Sequence, residues 1–143
     1  MRAIWTAIAI VWCSAASGQT FNCDTPATPT LPNPTVLGNG SAGSVSRAQL
    51  QAALDAGGDI RLNVGNSTIT LDATLQITRA VRLDGNGATL SGGNARRVIE
   101  IRNPALATYD ILLQNLILRD GDARNAAGNE FARSGGAILN EDR

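Results

Sequence analysis

Beyond Asp59, apolar residues recur at every second position, in runs too short for a helix. The runs are "DIRLNV", "TITL", "LQIT", "VRLDG", "ATLSG", "VIEIRN", "ILLQNLILRDG" and "GGAILN", with Asn, Asp or Gly between them. A period of two over so few residues predicts short strands, each with one face turned inward. Several share a form: apolar, any, apolar, then Asn or Asp within two positions. Instances are Ile60–Asn63, Val81–Asp84, Ile99–Asn103, Ile111–Asn115 and Ala137–Asn140. Taking Leu62, Leu83, Leu113 and Leu139 as corresponding positions gives steps of 21, 30 and 26 residues. Irregular repeats of that length, built of short strands and turn residues, predict a stacked solenoid.

In "ILLQNLIL" a straight strand would carry Asn115 inward along with Ile111 and Leu113. If Asn115 turns the chain in the left-handed conformation, the inward set becomes Ile111, Leu113, Leu116 and Leu118. Leu112 and Ile117 then face outward. Corner Asn residues of this kind can stack in a parallel solenoid and share amide hydrogen bonds. The stretch "LDGNGATLSGG" reads the same way, with Leu83 and Leu90 inward, Asp84 to Asn86 at one corner and Ser91 to Asn94 at the next. Its glycines, Gly85, Gly87, Gly92 and Gly93, are assigned to turns, together with Gly135, Gly136, Asn115 and Asn140. A phosphate-binding glycine loop would have to open an amphipathic helix, and the strand-like "ATLSGGNARRVIEI" follows instead.

One stretch departs from the period of two. In "SRAQLQAALDAGG" Ser46 and Gln49 form a capping box, and Leu50, Ala53 and Leu54 share a face. Gly57 and Gly58 supply the stop. The spacing predicts a helix from about Arg47 to Ala56, within a unit of residues 46–58, whose single apolar stripe must lie against the strands. Upstream, residues 19–45 hold all but one of the five prolines and "LGNGSAGS", with no apolar period, and read as an extended arm or linker. Residues 1–18 place Arg2 before an apolar run, Ala3 to Trp12, and then small residues. That order predicts a secretory signal cleaved between Gly18 and Gln19. The run is far shorter than the ~20 residues of a membrane helix, so no span is expected once the signal is removed. Cleavage also removes Cys13 and leaves Cys23 alone, which predicts a bonding partner outside this chain.

At 143 residues the chain is long enough for one domain. Its 12 basic residues are all Arg and are balanced by 12 Asp and Glu, so charge points to no nucleic acid. There is no His. Ser-His-Asp, Cys-His and His-zinc chemistries are therefore excluded within this chain. Any catalysis would fall to carboxylates, Arg or Tyr109.

"RDGDARNAAGNE" brings Asp120, Asp122 and Asn125 to spacings loosely like a calcium loop, which makes them candidate calcium ligands. The closing bidentate Glu is missing, so a polar excursion between two strands is the preferred reading, and no cofactor is expected. Arg96 and Arg97, ahead of the strand beginning at Val98, read as solvated charges. Asn66-Ser67-Thr68 fits a glycosylation sequon, a pattern frequent by chance.

The signal, the proline-rich arm, the helix, "GGDIRLNV", "VRLDGNGATLSGGNARRVIEI", "ILLQNLILRDG" and "GGAILN" together resemble secreted bacterial proteins of the pectin-lyase-like kind. The nearer likeness is to polymorphic outer-membrane proteins, whose repeats carry Gly-Gly-Ala-Ile followed by Asn. The resemblance covers residues 46–143 and implies an all-β fold: a right-handed parallel β-helix over 59–143 with an N-terminal capping α-helix. In that family Gly-Gly-Ala-Ile begins a long series of coils. Here about four coils stop three residues after "AILN", so the coils are expected to be incomplete at the C-terminal end. The expected partner is then the remaining coils of a longer β-helix, or another chain.

Such a fold hosts adhesins, passenger domains, lyases and hydrolases alike. The expectation is a non-catalytic structural, adhesin-like or glycan-binding module, secreted or on the outer surface, with extracellular polysaccharide as a further partner. The alternative is a polysaccharide lyase or glycoside hydrolase. Either enzyme needs its carboxylates on one face of adjacent coils, about 4.8 Å apart per step, and the acidic residues here fall mostly at corners and loops.

Overall fold

The computed structural model describes residues 28–103, 108–124, 126, 128 and 133–141. The signal segment, Gly18, Gln19, Cys13, Cys23 and Asn125 lie outside these residues. Among the described residues the regular elements are short strands and one helix. In order they are β1 (Thr35–Leu37), α1 (Arg47–Ala56), β2 (Gly58–Leu62), β3 (Thr68–Thr70), β4 (Leu75–Ile77) and β5 (Val81–Asp84). Then come β6 (Thr89–Ser91), β7 (Ile99–Arg102), β8 (Ile111–Gln114), β9 (Ile117–Arg119) and β10 (Ile138–Glu141).

All the strand pairs among the described residues are parallel. They form three sheets, ordered β1-β2-β5-β8, β3-β6-β9 and β4-β7-β10. From β2 onward the chain visits the three sheets in strict rotation. Each sheet therefore receives one strand from each circuit, and parallel pairing follows because the chain returns in the same direction.

The register sets the core. Ile60, Leu83 and Leu113 stand side by side in the first sheet. Ile69, Leu90 and Leu118 do so in the second, and Leu75, Ile99 and Ile138 in the third. Two of the correspondences expected from like leucines shift. Leu83 pairs with Ile60 instead of Leu62, and Leu139 lies beside Glu100 in a different sheet from Leu113. Turns of unequal length absorb the difference, and a slip of one residue exchanges the faces of a strand. Ile138 falls in line with Ile99 yet is exposed, Leu139 is buried beside Glu100, and Asn140, expected at a turn, sits within β10 beside Ile101.

Helix α1 begins as its sequence dictates. Ser46 Oγ accepts the Gln49 N–H at 3.2 Å, and Gln49 Oε1 accepts the Ser46 N–H at 2.9 Å. Gly57, at φ +79°, ends the helix by donating its N–H to the Ala53 and Leu54 carbonyls. Leu50 and Leu54 are fully buried, with α1 packed on β4, β1 and β2. Burial of each leucine is worth about 1.5–3 kcal/mol. Residues 19–45 were read as an arm without periodicity, yet Thr35–Leu37 form a strand on the outer side of β2. Three residues between Pro34 and Gly38 are too few to show a period, so the strand exists through its pairing.

The two ends of the stack differ. Next to α1 the inward residues of β2, β3 and β4 are buried. At the other end Ile111, Leu113, Leu116 and Leu118 pack on the core but stay half-buried, and Ile138 is 38% exposed.

Candidate functional site

The outer face of the first sheet carries alternating charges in register. Asp59 in β2 stands beside Arg82 in β5, and Arg61 beside Asp84. Their closest atoms are 3.6 Å and 3.8 Å apart. Partly exposed pairs like these are worth about 0–1 kcal/mol each, so they order the surface more than they stabilise it. On β8 the two rows continue as Leu112 and Gln114.

Residues 28–31 run over this face. Arg82 Nη2 donates to the Thr30 carbonyl at 3.0 Å, and Gln114 Nε2 donates to the Pro29 carbonyl at 3.0 Å. Between them and the sheet lies a cleft of about 320 Å³, lined also by Leu31, Arg61, Asp84 and Asn115. Its floor is a corner network. Asp84 Oδ1 accepts the Asn86 N–H at 3.0 Å and the Asn115 side-chain amide at 2.9 Å. Arg61 donates to Asn86 Oδ1 at 3.2 Å. Asn86 and Asn115 both hold left-handed backbone, at φ 49° and 53°. Asn tolerates that conformation because its short polar side chain bonds locally.

One atom of the site is unmatched. Gln114 Oε1 is buried with no hydrogen-bond partner. The side chain cannot simply be turned over, since its NH₂ already faces the Pro29 carbonyl and exchange would set two acceptors together.

A second cleft, of about 340 Å³, lies between the start of α1 and β3. Arg47 and Asp72 close one side of it with a 2.9 Å ion pair. The hydrogen bond from Arg47 lowers the Asp72 pKa.

The candidate calcium ligands are bound up with protein donors. Asp120, itself at φ 53°, accepts the Ser91 hydroxyl at 2.9 Å and lies 3.3 Å from the Arg119 guanidinium. Asp122 accepts from Arg124 through both oxygens, at 2.7–3.0 Å, and from the Arg124 backbone N–H at 2.9 Å. The guanidinium holds the Asp122 pKa down to about 2. Among the described residues no three His, Cys, Asp or Glu come together to hold a metal ion.

The reading of Arg96 and Arg97 as solvated charges is corrected. Arg97 is 6% exposed and donates to the Gly135 carbonyl at 3.0 Å and the Ser134 carbonyl at 2.8 Å. It also lies 3.5 Å from Glu100, which is 7% exposed and accepts two bonds from Arg102, at 2.8 and 3.0 Å. Those bonds to Glu100 raise the Arg102 pKa. Arg102 reaches Glu141 of β10 at 3.5 Å. Arg96 is half-buried and donates to the Leu71 carbonyl. A buried guanidinium is tolerated where its donors meet carbonyls or carboxylates, as those of Arg97 do at Ser134, Gly135 and Glu100. Tyr109 is likewise engaged, donating its hydroxyl to the Arg102 carbonyl at 2.6 Å.

The glycines assigned to turns serve two purposes. Gly87, Gly93 and Gly135 have positive φ, between 61° and 84°. Gly85, Gly92 and Gly136 do not, and are small because another circuit crowds them. A Cβ on Gly85 would strike the Leu116 side chain, and one on Gly136 would stand 2.7 Å from the Gly121 carbonyl.

Arg61 and Gln114 were not singled out in the sequence, and Asp84 only as a corner residue. The signal was present in "DIRL" and "VRLD", two opposite orders of charge, but it becomes a pattern only once the register is known. No protein-family model matches this chain, and neither a curated protein nor a solved structure matches it.

Proposed function

We propose that this chain is part of a right-handed parallel β-helix of the pectin-lyase-like kind, exported to the cell exterior, where it serves as a non-catalytic binding module. The strict rotation of strands through three parallel sheets carries the reading. The right-handed sense follows from the near-invariant hand of parallel crossovers. Within that kind, "GGAILN" supports a likeness to polymorphic outer-membrane proteins. The unequal ends of the stack support a partner at one of them: α1 seals the first circuit, while the half-buried apolar residues of β8, β9 and β10 suit further parallel strands. The carboxylates also favour binding over catalysis, because Asp59, Asp72, Asp84, Glu100, Asp120 and Asp122 each already answer an Arg or a corner donor.

The test is to incubate the full chain with insoluble and soluble polysaccharides. Retention on polysaccharide or on cells without release of reducing ends or unsaturated sugars is the expected result. Product release would overturn it in favour of a lyase or hydrolase, and absence of retention would overturn the binding module itself. Export is read separately, by sequencing the N-terminus of secreted protein, which is expected to begin at Gln19.

A further inference from the structure

We infer that the cleft between residues 28–31 and the first sheet is a binding site for a single neutral sugar unit. The inference deepens the binding-module reading and rests on it. Four features of the cleft point to this ligand class. Its volume, about 320 Å³, is at the lower end of the roughly 300–1,000 Å³ of small-molecule sites, which suits one ring. Its charges cancel: Arg61 and Asp84 face each other across neighbouring strands at 3.8 Å. A free anion would have to displace Asp84 from Arg61, and a free cation the reverse, so the site selects a ligand without net charge. Its walls are mixed, with Pro29 and Leu31 on one side and Arg61, Asp84, Gln114 and Asn115 on the other. A sugar ring matches this division, since its C–H face is apolar and its rim carries hydroxyls that both donate and accept.

The fourth feature is the unpaired acceptor. Gln114 Oε1 is buried without a donor, and a buried acceptor left unmatched is costly. A hydroxyl entering beneath residues 28–31 supplies that donor. Those residues are held to the sheet by the Arg82–Thr30 and Gln114–Pro29 hydrogen bonds, both to backbone carbonyls. They can lift by a small distance to admit a ring and settle onto its apolar face. Adjacent hydroxyls then reach Arg61 and Asp84 together, one accepting from the guanidinium and one donating to the carboxylate.

The experiment is saturation-transfer NMR on the full chain, with methyl glycosides of glucose, galactose and mannose as neutral probes. The methyl glycoside of galacturonic acid, with its carboxylate free, serves as the anionic probe and triglycine as the peptide probe. The expected result is saturable transfer from at least one neutral glycoside, at least tenfold weaker in Gln114→Leu, with the thermal midpoint of that variant unchanged or raised. Leu removes the unpaired acceptor but also the bond to the Pro29 carbonyl. Arg82→Met, which loses the other tether of residues 28–31 and keeps Gln114, is therefore the control and should retain transfer. Equal loss in Arg82→Met would assign the effect to the tether and overturn the site. Should Gln114→Leu fail to fold, Arg61→Met, at a partly exposed position, carries the same expectation. Transfer that is unchanged in Gln114→Leu and Arg61→Met, confined to galacturonate or triglycine, or absent with every probe would overturn the site. If the wild-type chain and Gln114→Leu are retained equally on polysaccharide, this site is wrong and the binding module stands. If neither is retained, the module reading fails as well.

Discussion

Gln51 of α1 grips both backbone groups of Gln76 in β4. Its Nε2 donates to the Gln76 carbonyl at 2.8 Å, and its Oε1 accepts the Gln76 N–H at 2.9 Å. β4 is the outermost strand of its sheet, so the side-chain amide stands where the peptide of another strand would pair. Open strand edges are templates for unwanted association, and a helix carrying one well-placed amide covers this one. β1 does the same for the first sheet, along the outer side of β2.

Removing that amide should be felt locally first. Gln51→Ala leaves the Gln76 N–H and carbonyl to solvent, and is expected to cost about 0.5–1.5 kcal/mol. Hydrogen exchange of the Gln76 amide should accelerate more than that of Leu83 or Leu90. Equal protection in both chains would show that solvent serves Gln76 as well as Gln51 does.

The helix itself is anchored by its two buried leucines. Leu54→Ala is expected to lose about 2–5 kcal/mol in denaturant unfolding, through lost burial and the cavity left behind. Ala52→Ser, on the exposed side, should change stability by less than about 0.5 kcal/mol.

The Asp122 carboxylate should titrate near 2, because Arg124 and its backbone N–H bind the ionised form. A folded pKa below the unfolded value means the stabilisation is complete above about 3.8 and is lost as pH falls through about 2. Arg124→Ala should move the midpoint back towards 3.8, measured by carboxyl NMR. A midpoint that stays low in the variant would assign the shift to something other than the guanidinium.

The buried pair tests the correction made to Arg97. Glu100→Ala takes the carboxylate away from buried Arg97, while Arg102 keeps Glu141, and is expected to cost about 3–5 kcal/mol. Replacing Arg97 and Glu100 together, by Met and Gln, should cost less than the sum of the single changes. Strict additivity in that cycle would mean the two do not interact.

The half-open end of the stack should associate. The full chain is expected to sediment with a concentration-dependent mass. Ile117→Lys with Ile138→Lys, at positions 56% and 38% exposed beside the edges of β9 and β10, should reduce it. A monomer of constant mass in the unsubstituted chain would show that these edges are already protected.

Much of the fold was legible before any coordinate. Helix α1 was readable to its boundaries, since Ser46, Gln49 and Gly57 act on backbone groups within one turn of themselves. The inward set Ile111, Leu113, Leu116 and Leu118 was readable too, once Asn115 was given left-handed backbone. Both are local effects, set by residues a few positions apart. Pairing is different. Which strand lies beside which depends on turns of unequal length. These let Ile60, not Leu62, stand beside Leu83 and set Leu139, buried, beside Glu100 in a different sheet from Leu113. The burial of Arg97 depends on the carbonyls of Ser134 and Gly135, and the cleft on residues 28–31 crossing three strands drawn from different circuits. Period, caps and left-handed corners are written in the sequence because they are short-range physics. Charge pairing and enclosure come from segments tens of residues apart, so only the tertiary structure decided them.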